Sequence, residues 1–414
     1  MSDDDTTPTA APTRREYVKY GGAVVGGSLL AGCTGQTDSG STPTETATDE
    51  PTATETSTPD DRSYSVTMSP VGTVEFETVP SDVAVYSLLY ADMAVAYGHG
   101  DAVNSLGFDA SAGGNTLDAY YERLDGVSFD TEALAQLNGG SGEIRVDKEL
   151  LYELDSDLHL LDPALLDSFE GWDRTDIDDV SENVAPFFGN TFSRTHGQPP
   201  ESWRDDYEYY TLWTLADRVA DVFQAGDRYE RLAAVHDDLL ANIREGLPPE
   251  SERPSVASVI FYQGTFYPSK LNAPGFGTAH TRPLGATDAF AGTDAGFGTT
   301  YDYETLLELD PDVILHQFGI ASYYDVAAIR DTIAADPVGG ELSAIRNDRF
   351  YPSGNPIQGP LVNLFQLEMT AKQLYPDQFG AWPEYAQGEP YPEFDEDERL
   401  FDRQRVADII DGDI

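Results

Sequence analysis

The sequence predicts an α/β protein built as two related lobes with a long helix between them. Three observations carry this reading. Short apolar strands alternate with helical stretches: Val83-Ala84-Val85-Tyr86 precedes a helix-like run from Ala91 to Gly98, and Val103 to Phe108 follows. Such alternation predicts a parallel α/β arrangement. A helix–turn–strand unit then occurs twice, as KELLYELDSDLHL at 148–160 and YETLLELDPDVIL at 303–315. Glu149 meets Glu304, Leu151 meets Leu306, Leu154 meets Leu309, and Asp155 and Asp157 meet Asp310 and Asp312. Matching acidic and leucine positions point to a duplicated lobe. Between the copies lies a helical stretch, Tyr210 to Gly246, with one apolar face on Leu212, Leu215, Val219, Val222 and Phe223 and another on Leu232, Val235, Leu239 and Ile243.

Ahead of this body the chain reads as an address. Thr13-Arg14-Arg15-Glu16-Tyr17-Val18-Lys19 resembles a twin-arginine export motif, with Arg14 and Arg15 as its pair. A small and apolar run from Gly21 to Leu30 follows and ends in Leu30-Ala31-Gly32-Cys33, which resembles a lipobox with Cys33 as the lipid-attachment site. About a dozen residues is too short for a membrane span, which needs about twenty, so the run reads as a signal h-region. Residues 34–61 hold no aromatic and no basic residue. Such a segment has too little apolar area to offset its chain entropy and is expected to be a tether.

Within the body, Val74 and Phe76 alternate with acidic residues as an edge-type strand, and Val83 to Tyr86 is a buried one. In each repeat the turn at Asp-Ser-Asp or Asp-Pro-Asp separates helix from strand, and Pro311 suits it because proline cannot continue a helix. Gly226-Asp227 marks a break in the central helical stretch, with Asp227 as its N-cap. Leu247-Pro248-Pro249 ends that stretch, and Val256 to Phe261 opens the second lobe as a strand. The expected organisation is a signal at 1–32, a tether at 33–62, an N-terminal lobe at 63–211, the connecting helix at 212–247, a C-terminal lobe at 248–380 and an acidic extension at 381–414. In that extension Leu400-Phe401, Val406, Ile409 and Ile410 suit a terminal helix packed on the body.

Composition excludes several functions. The 414 residues carry 24 Lys and Arg against 74 Asp and Glu, a formal charge of −50. There is no basic surface for nucleic acid. The excess of acid and the presence of only four lysines read as adaptation to high salt, where screening removes most self-repulsion. The single cysteine rules out an internal disulfide framework and a cysteine-based zinc site. No Gly-x-Ser-x-Gly elbow, P-loop or His-Glu-x-x-His occurs. The six histidines show no metal-ligand spacing, although His316, beside Gln317-Phe318, is a candidate ligand contact.

With these residues in view, the chain from about Val74 to Phe379 resembles the ABC-importer substrate-binding lipoproteins that carry iron–siderophores, haem or cobalamin, in their haloarchaeal form. The resemblance rests on the paired repeats, the helix between lobes, Ala344-Ile345-Arg346-Asn347-Asp348-Arg349-Phe350-Tyr351, and the helix opened by Gly359-Pro360 and closed by Leu374-Tyr375-Pro376. Ser156 departs from the usual proline of the first repeat.

The resemblance implies an α/β fold of two Rossmann-like lobes joined by a single long helix, as in class III periplasmic binding proteins. It implies no enzyme activity and no resident cofactor. The expected role is an extracytoplasmic receptor, lipid-anchored on the outer face of the cytoplasmic membrane. It would bind a ferric siderophore or similar small-molecule iron chelate and deliver it to a permease with its ATPase. Ligand is expected in the cleft at the carboxyl ends of the strands. Glu149 and Glu304 match the family's permease-docking carboxylates. Aromatics on the expected cleft loops, Tyr90, Phe187, Tyr262, Phe266, Phe297, Tyr301 and Phe318, suit a large, partly planar ligand. Arg194 supplies positive charge for an anionic chelate or a carboxylate. A cobalamin or haem carrier of the same fold, an exported α/β hydrolase and a lipid-anchored surface protein are the rival readings.

Overall fold

The computed structural model describes residues 63–107, 115–141, 143–296 and 298–413. The signal and tether readings, with Arg14, Arg15 and Cys33, lie outside the described residues. The body begins with an antiparallel hairpin, β1 (Tyr64–Met68) and β2 (Gly72–Phe76). Its alternate residues Val66, Met68, Val74 and Phe76 are buried, as a half-covered pleated pair requires. The N-terminal lobe continues through β3 (Val83–Val85), α1 (Leu88–Ala96), β4 (Ser105–Leu106), α2 (Thr116–Tyr121), β5 (Ala135–Gln136), α3 (Lys148–Leu154) and β6 (Leu158–Leu160). β3 pairs in parallel with β6, and β4 with β5. Parallel bridges Val83–Val103 and His159–Phe187 extend this sheet.

The central stretch is two helices, α4 (Leu212–Val222) and α5 (Gly226–Gly246). The break expected at Gly226 therefore divides what would otherwise be one helix. Gln224 takes a left-handed conformation (φ 51°) that ends α4, Ala225 is the N-cap position of α5, and Asp227, expected there, lies in its first turn. The C-terminal lobe holds β7 (Ser255–Tyr262), β8 (Thr265–Ser269), β9 (Thr287–Asp288), α6 (Tyr303–Leu309), β10 (Val313–His316) and β11 (Phe350–Pro352), followed by α7 (Pro360–Leu374) and, near the end of the chain, α8 (Arg403–Asp411). β11, β10 and β7 are parallel in that order, with β8 antiparallel on β7.

The sequence repeat is a structural repeat. Asp147 and Asp302 accept backbone N–H bonds as N-caps of α3 and α6. Asp155 (φ 47°) and Asp310 (φ 38°) close the same helices in the left-handed region. Asp157 then accepts from the Asp82 N–H at 3.1 Å, and Asp312 from the Ser255 N–H at 2.8 Å, so each carboxylate ties down the start of the strand beside its own. Leu151 and Leu306 are fully buried on the inner faces of their helices.

Strand alternation sorts the core. Val83, Val85, Leu158, Leu160, Val313 and Leu315 enter one central core shared by both lobes. Ala84 and Tyr86 face an outer N-lobe cluster, and Ala257, Val259, Phe261 and Ile314 an outer C-lobe cluster. Parting the lobes would expose the shared core to water, so the hydrophobic effect holds them together.

All 15 residues of α7 are buried within that core. Its first turn meets Asp92 of α1, which accepts from the Leu361 N–H at 2.9 Å and from the Tyr121 hydroxyl at 2.5 Å. Gly359 precedes the helix because any Cβ there would clash with the Asp92 carboxylate. Further along, Glu368 accepts from Arg403 at 2.5 Å, the Leu400 N–H at 2.7 Å and the Tyr391 hydroxyl at 2.9 Å. The Arg403 guanidinium also stands 5.0 Å from the Phe365 ring and 5.2 Å from Tyr391. The segment after 380, set apart by composition, is thus joined to the common core. Its Tyr391 N–H donates to Ala119 of the N-lobe at 2.6 Å, and α8 lies on α5, where Arg228 bridges Ile409 and Tyr97 carbonyls.

Two predictions follow from these buried carboxylates. Arg403→Ala leaves Glu368 uncompensated and lowers unfolding free energy by about 3–5 kcal/mol; the double variant Glu368→Gln/Arg403→Met recovers more than half of that loss in denaturant titrations. Burial pushes the Asp92 carboxyl up to about 7, against the Tyr121 and α7 hydrogen bonds that lower it. A carboxyl raised above its unfolded value contributes stability that is complete below about pH 4 and is lost as pH rises through 7. Unfolding free energy of Asp92→Asn measured across that window lacks this downward slope.

Candidate functional site

Loops leaving the carboxyl ends of the N-lobe strands meet the C-lobe at two places. After β4 and β10, Ser322 donates to Asn115 at 3.1 Å, and the Ser322 carbonyl accepts from Gln387 of the C-terminal segment at 2.7 Å. After the Phe187 bridge, the Arg194 carbonyl presses on Gly275 and Gly277, where a Cβ at Gly275 would clash. The same short segment is held from the C-lobe by Gln358, beyond β11, which donates to the Phe276 and Gly277 carbonyls. The rim between these two meeting points is the candidate ligand site, in the position where α/β sheets bind ligands.

The loop carrying Arg194 is rigidly supported. Asp162, at the end of β6, is fully buried and accepts from the Tyr207 hydroxyl at 2.5 Å, the Thr191 N–H at 2.6 Å and the Ala164 N–H at 2.8 Å. Burial raises its carboxyl to about 6 despite these bonds. The Asn190 N–H donates to the Tyr90 hydroxyl at 2.6 Å, and its side chain donates to the Ser69 and Glu208 carbonyls. Across the cleft, Phe318 holds a left-handed backbone (φ 56°), costly for a phenylalanine. It is fixed by its N–H to Gly354 at 3.2 Å and by the Gly319 N–H to Ser353 at 2.9 Å, and its ring meets Tyr323 edge-on at 6.0 Å.

Four of the expected ligand contacts are placed on this rim: Tyr262, Tyr301 and Phe318 are half-buried in C-lobe loops, and Arg194 is half-buried in the N-lobe loop. Three are not. Tyr90 is buried on α1, where its hydroxyl positions Asn190; Phe187 is buried against the His159 ring at 4.8 Å; and Phe266 is fully buried between Phe261 and Tyr303. Each sits one step inside the rim, on the side of its element that faces the core. Phe297 lies outside the described residues. His316 is also internal: Nε2 accepts from the Phe261 N–H, Nδ1 donates to the Gln317 carbonyl, and burial lowers it to about 4. Asp162, Asn190 and Tyr207 were not expected from sequence, although Asp162-Pro163 directly after an apolar strand is a helix-start signal that marks the spot.

Glu149 and Glu304 occupy equivalent exposed positions on the first turns of α3 and α6. The Asp147 N–H bonds to the Leu137 carbonyl beyond β5, and Tyr301 pairs with Phe266 beside the end of β7. Both glutamates therefore stand at the carboxyl-end side of their sheets.

No protein-family model and no curated protein sequence matches this chain. Solved structures do. A periplasmic binding protein from Veillonella parvula superposes with a TM-score of 0.52 at 14% identity, over 76% of this chain and 98% of that one. The fold is that of the class III periplasmic binding proteins. The iron-uptake ABC-transporter substrate-binding protein PiuA of Streptococcus pneumoniae gives 0.52 at 14% identity, over 73% and 96%. The petrobactin-binding protein YclQ of Bacillus subtilis gives 0.51 at 14%, over 73% and 95%. Tyr90 ties α1 to the 188–194 loop through Asn190. Tyr90→Phe removes the acceptor of a buried N–H and lowers unfolding free energy by about 1–3 kcal/mol, and hydrogen exchange of residues 188–194 accelerates more than that of the C-lobe.

Proposed function

We propose that this protein is an extracytoplasmic solute receptor of an ABC importer, binding a ferric siderophore or similar iron chelate between its lobes and handing it to a membrane permease. The observation that carries the reading is the two-lobed fold with half-buried Tyr262, Tyr301 and Phe318 on C-lobe loops and half-buried Arg194 on an N-lobe loop. Aromatic faces and a single guanidinium suit a bulky chelate that brings its own metal ligands. Among the described residues no three His, Cys, Asp or Glu side chains form a group able to hold a metal ion. Solute-binding function in structures of the same fold, including those named for iron uptake and petrobactin, supports the class of ligand.

The equivalent Glu149 and Glu304 are proposed as the permease contacts, one per lobe. Ion pairs are weak in concentrated salt, so shape carries much of the docking. Export by the Arg14-Arg15 motif and anchoring through a lipid on Cys33 complete the proposal.

A panel of ferric siderophores, haem and cobalamin tested by thermal shift in molar salt decides the ligand class. One class is expected to give a saturable stabilisation, about 2.7 kcal/mol at a hundredfold excess over Kd. A shift with cobalamin or haem alone selects those carriers instead, and no shift with any sinks the chelate reading. Glu149→Ala/Glu304→Ala is expected to keep ligand affinity and lose stimulation of the transporter ATPase; loss of ligand binding instead shows the docking assignment to be wrong.

A further inference from the structure

The C-terminal segment reaches the rim as well as the core. Residues 386–389 form a tight turn, closed by the Glu389 N–H on the Ala386 carbonyl at 3.2 Å and by the Tyr385 hydroxyl on the Glu389 carbonyl at 2.6 Å. Gly388 holds a left-handed φ of 75°, which glycine adopts without a Cβ penalty, and a Cβ there would stand 3.9 Å from the Ser322 Cβ. The turn presents Gln387, whose Nε2 donates to the Ser322 carbonyl at 2.7 Å. The Ser322 hydroxyl in turn donates to Asn115 Oδ1 at 3.1 Å, at the N-cap position of α2. Two residues after the turn, Tyr391 is fixed to the N-lobe. Its N–H donates to the Ala119 carbonyl at 2.6 Å, and its carbonyl accepts from Arg123 Nε. One short stretch of chain therefore holds a C-lobe rim loop at one end and the N-lobe at the other.

What the turn holds is an aromatic part of the rim. In the loop after β10, Phe318 meets Tyr323 edge-on at 6.0 Å, Tyr323 stacks with Tyr324 at 6.3 Å, and Tyr324 meets the buried His316 ring at 4.8 Å. The base of this loop is fixed by the Phe318 and Gly319 N–H groups on the Gly354 and Ser353 carbonyls. Its exposed tip, at Ser322, is held by the Gln387 amide. We propose, building on the receptor reading above, that Gln387 is a positioning residue for this loop and that residues 385–391 form a brace tying the Phe318–Tyr323 pair to the N-lobe. A loop fixed only at its base must be ordered when ligand arrives, and that ordering subtracts from affinity; a loop held at its tip as well meets ligand already ordered. The bond from Gln387 joins two neutral groups, so the concentrated salt that weakens exposed ion pairs does not screen it away.

Hydrogen exchange of the full, ligand-free chain in molar KCl tests this with two variants. Gln387→Glu replaces the donor with a carboxylate of the same shape. Gln404→Glu makes the same change on α8, where Gln404 donates to Asp408 at 2.8 Å. Loss of one net hydrogen bond in Gln387→Glu is expected to speed exchange about three- to tenfold at residues 317–325 and, through Asn115, at residues 115–121, with β7 unchanged. Gln404→Glu is expected to leave all three at the wild-type rate. Acceleration confined to 317–325 overturns the tie to the N-lobe. Wild-type rates throughout in Gln387→Glu, or equal acceleration in Gln404→Glu, overturn the brace itself. Each of these outcomes is read without ligand, so the receptor reading stands or falls separately, on the thermal-shift panel.

Discussion

Everything in this molecule leans on one helix, α7, that has no surface. A 15-residue helix buried on all sides must find partners for its polar groups inside the protein, and two carboxylates make the longest-range of these connections. Asp92 reaches it from the N-lobe and receives its first-turn N–H groups. Glu368 faces outward from it and draws in Arg403, Tyr391 and the Leu400 backbone from the end of the chain. The lobes, the paired helices α4 and α5 and the C-terminal segment all pack against this axis.

Much of the fold was legible because its signals are local. Asp147, Leu151, Asp155 and Asp157 report a capped helix, an inward leucine, a left-handed stop and a strand anchor, and Asp302, Leu306, Asp310 and Asp312 report the same unit again. The break between α4 and α5 was visible at Gly226, although its N-cap was displaced by two residues because Gln224 had already turned the chain. The burial of the C-terminal segment was less legible. Phe401, Val406, Ile409 and Ile410 were legible as a packed terminal helix, but Tyr391 and Phe394 are too isolated in an acidic stretch for any local period to reveal them.

Burial of the candidate rings was not legible residue by residue, because nothing in a single sequence says which ring turns inward. Phe266 and Tyr267 are neighbours on one strand, and the pleat buries the first while leaving the second half-exposed. Tyr90 was expected to touch ligand, yet it is buried and its hydroxyl accepts from Asn190, a residue 100 positions away in the chain. Such long-range pairings are set by the tertiary packing of complete lobes.

The route of the C-terminal segment also bears on how the protein comes into being. Residues 381–413 are the last described part of the chain to leave a ribosome, yet they supply Arg403 to Glu368 and cover Phe365 with Tyr391 and Phe401. Until they arrive, α7 carries an unpaired acid and uncovered rings, and the N-lobe lacks the contact at Ala119. The C-terminal segment is therefore part of the folding unit, and removing the helix that carries Arg403 would leave Glu368 without its cation.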